Sequence, residues 1–142
     1  MIQLVNTIND YLENEPLVET VTYGSIDKVI TNKQPLYPIA HWVVNQVTTQ
    51  AKTLEVNFSL ILFDILDVNK EDVENNKLYI QNTMVTVSSR LANILRRGDL
   101  RAEGFELQGD VVNELFTERF EDSVAGVTAT YVVIVPNNVT IC

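Results

Sequence analysis

The oxygen-rich run from Asp67 to Asp72 is the part of this sequence that most resembles a metal-binding motif. Asp67, Asn69 and Glu71 stand at the first, third and fifth positions, as in the start of a calcium-binding loop. Such a loop has glycine at its sixth position and glutamate at its twelfth, where this chain has Asp72 and Leu78. We therefore interpret the run as a solvated acidic loop and expect no metal site.

Catalytic motifs are equally weak. His41 is the only histidine, and no motif places an orienting acid or a nucleophile beside it. The single cysteine, Cys142, excludes an internal disulfide and a cysteine-based zinc site. Phosphate-binding glycine loops and nucleophile elbows are absent from the sequence. We expect no catalytic residue and no cofactor, although carboxylates such as Asp64 and Asp67 leave an enzyme as a minor hypothesis.

The charge of the chain argues against a protein that grips nucleic acid. Ten basic and 19 acidic residues give 142 residues a net charge of −9, whereas phosphate binding requires an excess of lysine and arginine. The span from Asp99 to Asp122 holds eight acids and two bases, which is −6 of that total. It indicates either a solvated face or a face turned toward something that it must not bind.

Arginines form a local group in this acidic chain. Arg90, Arg96, Arg97 and Arg101 lie within 12 consecutive residues. The group serves either helix capping and solubility or docking on an acidic surface of a neighbouring subunit. Both interpretations stay open at this point.

Hydrophobic periodicity predicts two helices. Ile2, Leu4, Val5, Ile8 and Leu12 form one apolar stripe over residues 1–14. A second stripe predicts a helix from about Asn75 to Arg97, in which basic residues and a left-handed Gly98 end the helix. Its members are Ile80, Met84, Val87, Leu91 and Ile94.

Strands are predicted by alternation and by β-branched residues. Residues 39–47 and 54–62 predict a long antiparallel hairpin, with the polar segment Thr48–Thr53 as its loop. A short strand is expected at 18–23, another near Gly109 and a long one at 125–135, while 114–122 is ambiguous. We predict a single α+β domain over residues 1–142, with a mainly antiparallel sheet and two helices on one face. A hairpin arm spans about 39–64, and a short tail covers 136–142.

The order of these elements resembles the tail-terminator and tail-completion family of tailed bacteriophages. Five stretches also look like structural proteins of phages that infect Bacteroidetes. They are residues 39–47 (IAHWVVNQV), 58–67 (FSLILFDILD), 95–100 (LRRGDL), 118–126 (ERFEDSVAG) and 135–142 (VPNNVTIC). The resemblance covers most of the chain from about Val18 onward and includes no catalytic signature.

The resemblance implies a virion protein that forms a ring of six or twelve copies in the neck or tail. It would be made in the host cytoplasm, contact portal, neck or tail proteins, and let the genome pass through without sequence-specific binding or membrane contact. The candidate subunit-interface residues are Thr48, Thr49, Gln50, Lys52, Arg96, Arg97 and Arg101. The candidate channel-lining acids are Glu103, Glu106, Asp110, Glu114, Glu118, Glu121 and Asp122.

One alternative belongs to another class. A small cytoplasmic α+β domain that binds a ligand or regulates a partner would have the same size and apolar content. We expect no exported leader, since the chain begins Met-Ile-Gln-Leu. Nor does any apolar run approach the roughly 20 residues of a membrane helix.

Overall fold

The predicted α+β architecture is confirmed. A computed structural model describes residues 2–24, 37–66, 73–98, 104–119 and 123–136. Within these ranges the chain forms two helices and six strands. In chain order they are α1 (Ile2–Glu13), β1 (Thr20–Tyr23), β2 (Ile39–Thr49), β3 (Thr53–Ile65), α2 (Val73–Arg97), β4 (Glu106–Leu107), β5 (Val112–Arg119) and β6 (Ser123–Pro136).

The six strands form one sheet in the order β1-β2-β3-β6, and β4 and β5 both pair with the far side of β6. Only β1 and β2 run parallel; every other pairing is antiparallel. β4 pairs with Val133 and Ile134, whereas β5 pairs with residues 123–130. The two short strands therefore follow one another along a single edge of the sheet.

The central pair is β3 and β6, which match over 13 residues from Thr53–Pro136 to Ile65–Val124. Alternate residues of these strands point to opposite faces. One face carries Val56, Phe58, Leu60 and Leu62 of β3 opposite alternate residues of β6 from Ala125 to Val135. These side chains are buried. We call this the helix face, and the opposite side the outer face.

Both helices pack on the helix face. From α1, Leu4, Ile8 and Leu12 enter the core. From α2, the buried residues are Ile80, Met84, Val87, Leu91 and Leu95. The predicted stripe is confirmed, and Ile94 at its end packs half-buried against the core. Leu95, which the predicted stripe does not include, is fully buried.

Polar bonds attach each helix to the sheet. The indole nitrogen of Trp42 donates to Asn9 Oδ1 on α1 at 2.6 Å, and Tyr131 Oη donates to the Ser88 carbonyl on α2 at 2.7 Å. Arg90 of α2 pairs with the buried Glu15, just beyond α1, at 2.8 Å. These contacts satisfy polar groups that burial would otherwise penalise.

Other local predictions need correction. The ambiguous segment from residue 114 continues as β5 to Arg119, which pairs antiparallel with β6. Residues 64 and 65, expected in a connection, belong to β3.

Gly98 does not adopt a positive φ, contrary to the predicted left-handed end of the helix. A Cβ at this position would lie 2.8 Å from Ile94 Cα, so close approach explains its lack of a side chain. Segments 25–36, 67–72, 99–103, 120–122 and 137–142 lie outside the described residues.

Truncation of Leu91 tests the helix assignment. Leu91 is completely buried, so Leu91→Ala is expected to lower the free energy of unfolding by about 2–5 kcal/mol. Leu78→Ala on the same helix is the matched control, since that side chain is 61% exposed and its loss is expected to cost less than about 0.5 kcal/mol. Urea denaturation measures both. Equal effects would contradict the assigned helix face.

Candidate functional site

The outer face of the sheet differs from one end to the other. At one end Ile39, Phe63 and Val124 form a second, smaller apolar cluster. Phe116 of β5 packs on it, with its ring centroid 6.4 Å from that of Phe63. This cluster anchors β5 to the sheet on the side that the helices do not reach.

Toward the hairpin turn the outer face becomes polar and acidic. Glu55 of β3 and Glu106 of β4 flank Ile134 on its two sides, about 10 Å apart across two strand spacings. Glu114 of β5 lies on the same face but opposite Thr128, about 20 Å along β6 from Ile134 and two residues from Phe116 of the apolar cluster. Glu106 and Glu114 are exposed, and Glu55 is half-buried. We call Glu55, Glu106 and Glu114 the acidic face.

Polar and apolar side chains alternate between these acids, where Asn57, Ser59 and Thr130 share the face with Ile61, Val132 and Ile134. A bulge after Val44 inserts Asn45 into β2, and the Asn45 amide donates to Ser59 Oγ at 2.7 Å and to Asn57 Oδ1 at 3.3 Å. None of the strand positions that the register assigns to the outer face holds lysine or arginine. The described strand positions of this face therefore contribute only negative charge.

The predicted channel acids separate into three groups. Glu106 and Glu114 share the acidic face. Asp110 lies instead in the β4–β5 connection, 97% exposed and 3.7 Å from Arg96. Glu118 belongs to β5, but its side chain is not described, and Glu103, Glu121 and Asp122 lie outside the described residues. Sequence reasoning missed Glu55, although its place in the alternating run 54–62 already assigned it to the polar side of that strand.

The hairpin turn is shorter than predicted. Thr48 and Thr49 belong to β2, paired with Glu55 and Leu54, so the connection is only residues 50–52. The Gln50 amide donates to the Thr53 carbonyl at 2.9 Å, and Thr53 Oγ1 donates to Gln50 Oε1 at 2.7 Å. The turn is thus internally bonded, while Lys52 is exposed at its tip.

The predicted arginine patch is only partly available for contacts with another chain. Arg96 Nη2 donates to the Gly109 carbonyl at 2.6 Å, which fixes the β4–β5 connection to the end of α2. Arg90 is engaged with Glu15. Arg97 is exposed at the end of α2, and Arg101 lies outside the described residues.

His41 is a structural residue. It lies on the outer face, 1% exposed, with Nδ1 2.7 Å from Thr22 Oγ1, so it joins β1 to β2. Burial lowers the pKa of His41, and a backbone hydrogen bond at Gly24 opposes that shift. Among the described residues no carboxylate bonds to the ring, so the Thr22–His41 contact lacks the orienting acid of a catalytic triad.

Two open clefts lie at opposite ends of α2. One, of about 330 Å³, is lined by polar residues that include Ser88, Asn93, Arg96 and Asn113. The other, of about 250 Å³, lies between the start of α2 and the end of β3 and includes Asp64 and Tyr79. Within the described ranges, no three side chains of the metal-binding types come together.

The sequence matches no family model and no curated protein. In the part of the chain that the structure describes, neither helix combines the length and hydrophobicity needed to cross a bilayer.

Titration of His41 is expected to couple stability to pH. Since its pKa is lower in the folded chain than the usual 6.5, the unfolded chain binds a proton first as pH falls. Stability is therefore expected to decrease as pH drops below 6.5 toward the lower folded-state pKa. Urea denaturation of the wild type and His41→Gln between about pH 8 and about pH 5.5 measures this difference. Identical pH dependence in both proteins would contradict it.

Proposed function

We propose that this chain is a structural virion protein of a tailed bacteriophage that forms a ring in the neck or tail. Its outer sheet face lines the channel through which the genome passes. The observation that carries the proposal is the acidic face, in which Glu55, Glu106 and Glu114 share one side of the sheet and no strand position there is basic.

An acidic, hydrated wall suits a conduit for DNA. Carboxylates repel phosphates, and this repulsion acts over about 8 Å at physiological salt, so it prevents close contact without blocking passage. The hydroxyl and amide groups of Ser59, Asn57 and Thr130 keep water at the surface between the acids. A wall with lysines or arginines would instead hold the duplex by neutralising its phosphates.

The edges of the sheet supply contacts for a ring. β1 pairs with β2 only as far as Trp42, so among the described residues no strand covers β2 from Val43 to Thr49. On the opposite side of the sheet, β4 and β5 form the other edge, with Val112 and Leu115 exposed. Strand edges of this kind pair with neighbouring chains. Two different edges on one chain fit the head-to-tail contact that closes a ring.

A small ligand-binding domain is the second candidate function. It is favoured by the cleft of about 330 Å³ between α2 and the β4–β5 connection, where Ser88 Oγ donates to Asn113 Oδ1 at 2.5 Å. Electron microscopy distinguishes the two functions. Rings of this chain in assembled particles are expected under the first, whereas a chain absent from every particle would support the second.

Charge reversal on the acidic face tests the conduit. We expect Glu55→Lys, Glu106→Lys and Glu114→Lys together to make assembled rings retain duplex DNA at low salt, because the wall then attracts phosphates. At about 1 M salt the screening length falls to about 3 Å, so retention is expected to disappear. Fluorescence anisotropy of labelled DNA measures the retention, and genome ejection from particles measures its consequence.

A matched control reverses three exposed acids outside the sheet, Asp10, Glu13 and Glu19. This control adds the same charge but is expected to leave DNA passage unchanged. Microscopy must find intact rings in both variants. If the acidic-face variant forms rings yet releases DNA as the wild type does at low salt, the acids do not line the channel.

A further inference from the structure

The cleft at the start of α2 surrounds a carboxylate with apolar walls. Asp64 points to the helix face near the end of β3, where α2 begins to cross the sheet. The cleft of about 250 Å³ is open to solvent, and most of its lining is apolar or aromatic. Its residues are Pro16, Leu17, Pro38, Asp64, Tyr79, Ile80, Thr83 and Met84.

Asp64 has only part of its hydrogen-bonding capacity satisfied. Its Oδ1 accepts from the Ile65 amide at 2.7 Å, and no described lysine or arginine pairs with it. Burial raises the pKa of Asp64, which reflects the cost of holding this charge without a cation. A positively charged group entering the cleft would remove that cost.

The walls define which cation fits. Tyr79 is 71% exposed although it lines the cleft, so its ring is available to a positive charge. The exposed Pro16 and the half-buried Leu17 offer apolar surface to a methylene chain. A carboxylate, an aromatic ring and apolar walls together suit a long amphipathic cation such as a lysine side chain.

The same chain carries such a group at the other end of its sheet. Lys52 is exposed at the tip of the narrow β2–β3 turn, and no described residue bonds to it. Asp64 lies twelve positions after Lys52 along extended strand, a span of about 40 Å. Lys52 therefore cannot reach the cleft of its own chain, but it can reach the cleft of another copy.

We propose that the cleft around Asp64 receives Lys52 from the hairpin turn of a second copy of this chain. The ammonium group pairs with the Asp64 carboxylate beside Tyr79, and the methylenes lie against Pro16 and Leu17. Cleft and turn lie at opposite ends of the sheet, so the contact is head-to-tail. This inference rests on the proposed function, in which copies of the chain assemble. It supplies an end-to-end contact between copies, distinct from the side-by-side pairing of sheet edges within one ring.

A zero-length cross-link tests the contact. A carbodiimide joins a carboxylate to an amine only when the two groups touch, and the Lys52–Asp64 amide is identified by mass spectrometry of the digested protein. Mixing ¹⁴N- and ¹⁵N-labelled chains before the reaction distinguishes links between copies from links within one copy. We expect the mixed-isotope Lys52–Asp64 product in self-associated protein and its loss in Asp64→Asn.

Affinity provides the second readout. Asp64→Asn and Lys52→Ala are each expected to weaken self-association by about tenfold, measured by sedimentation equilibrium. The exposed Asp10→Asn is the control for a lost charge and is expected to change nothing. The reversed pair, Asp64→Lys with Lys52→Asp, is expected to recover part of the lost affinity.

Several outcomes would overturn the inference. Links from Asp64 only to a lysine of the same chain would do so, as would unchanged self-association in Asp64→Asn. Failure to self-associate at any attainable concentration would also overturn it. Rings that form without the Lys52–Asp64 link would refute this contact while leaving the proposed function intact.

Discussion

The matched register of β3 and β6 is the constraint on which the rest of the molecule depends. A slip of one residue along these 13 pairs would exchange the two faces, exposing Phe58 and Leu60 and burying Glu55 and Asn57. Gly126 helps to hold the register, because a Cβ there would collide with the Leu62 carbonyl and lie 2.7 Å from Phe63 Cβ. The same alternation that builds the core thus produces the polar outer face.

The helices occupy only one of these faces. An aromatic series runs across the helix face from Tyr23 through Trp42 and Phe58 to Tyr131, with Phe58 and Tyr131 stacked at 4.9 Å. Hydrogen bonds at both ends of this series, to Asn9 and Ser88, orient α1 and α2 on it. Stability is concentrated on this side. The outer face toward the hairpin turn is therefore able to carry charge at little cost to folding.

Much of the fold could be predicted because its elements follow simple periods. Alternation identified β3 and β6, and the repeat of three and four residues identified α2. β5 was ambiguous because its sequence, VNELFTER, does not alternate between apolar and polar residues. In the structure Leu115 is exposed and Glu114 lies on the outer face. The acidic face was predicted in part. The acids of residues 99–122 could be recognised by their number. Glu55 stands among apolar residues of its strand, and it comes within two strand spacings of Glu106 because β3 and β4 both pair with β6.

The position of the acids relative to the sheet edges determines how an assembly would present them. Glu106 and Glu114 lie in β4 and β5 at one edge of the sheet, whereas Glu55 lies in the central strand β3. Joining edges between copies would extend the acidic face from one subunit to the next. The described side chains of one subunit place three carboxylates on this face, too few to influence a duplex beyond the screening length. Repetition around a closed ring would make the field continuous, because each copy adds the same residues at the same height. The function proposed for this chain therefore belongs to the assembly, and the monomer contributes a register, two edges and one acidic face.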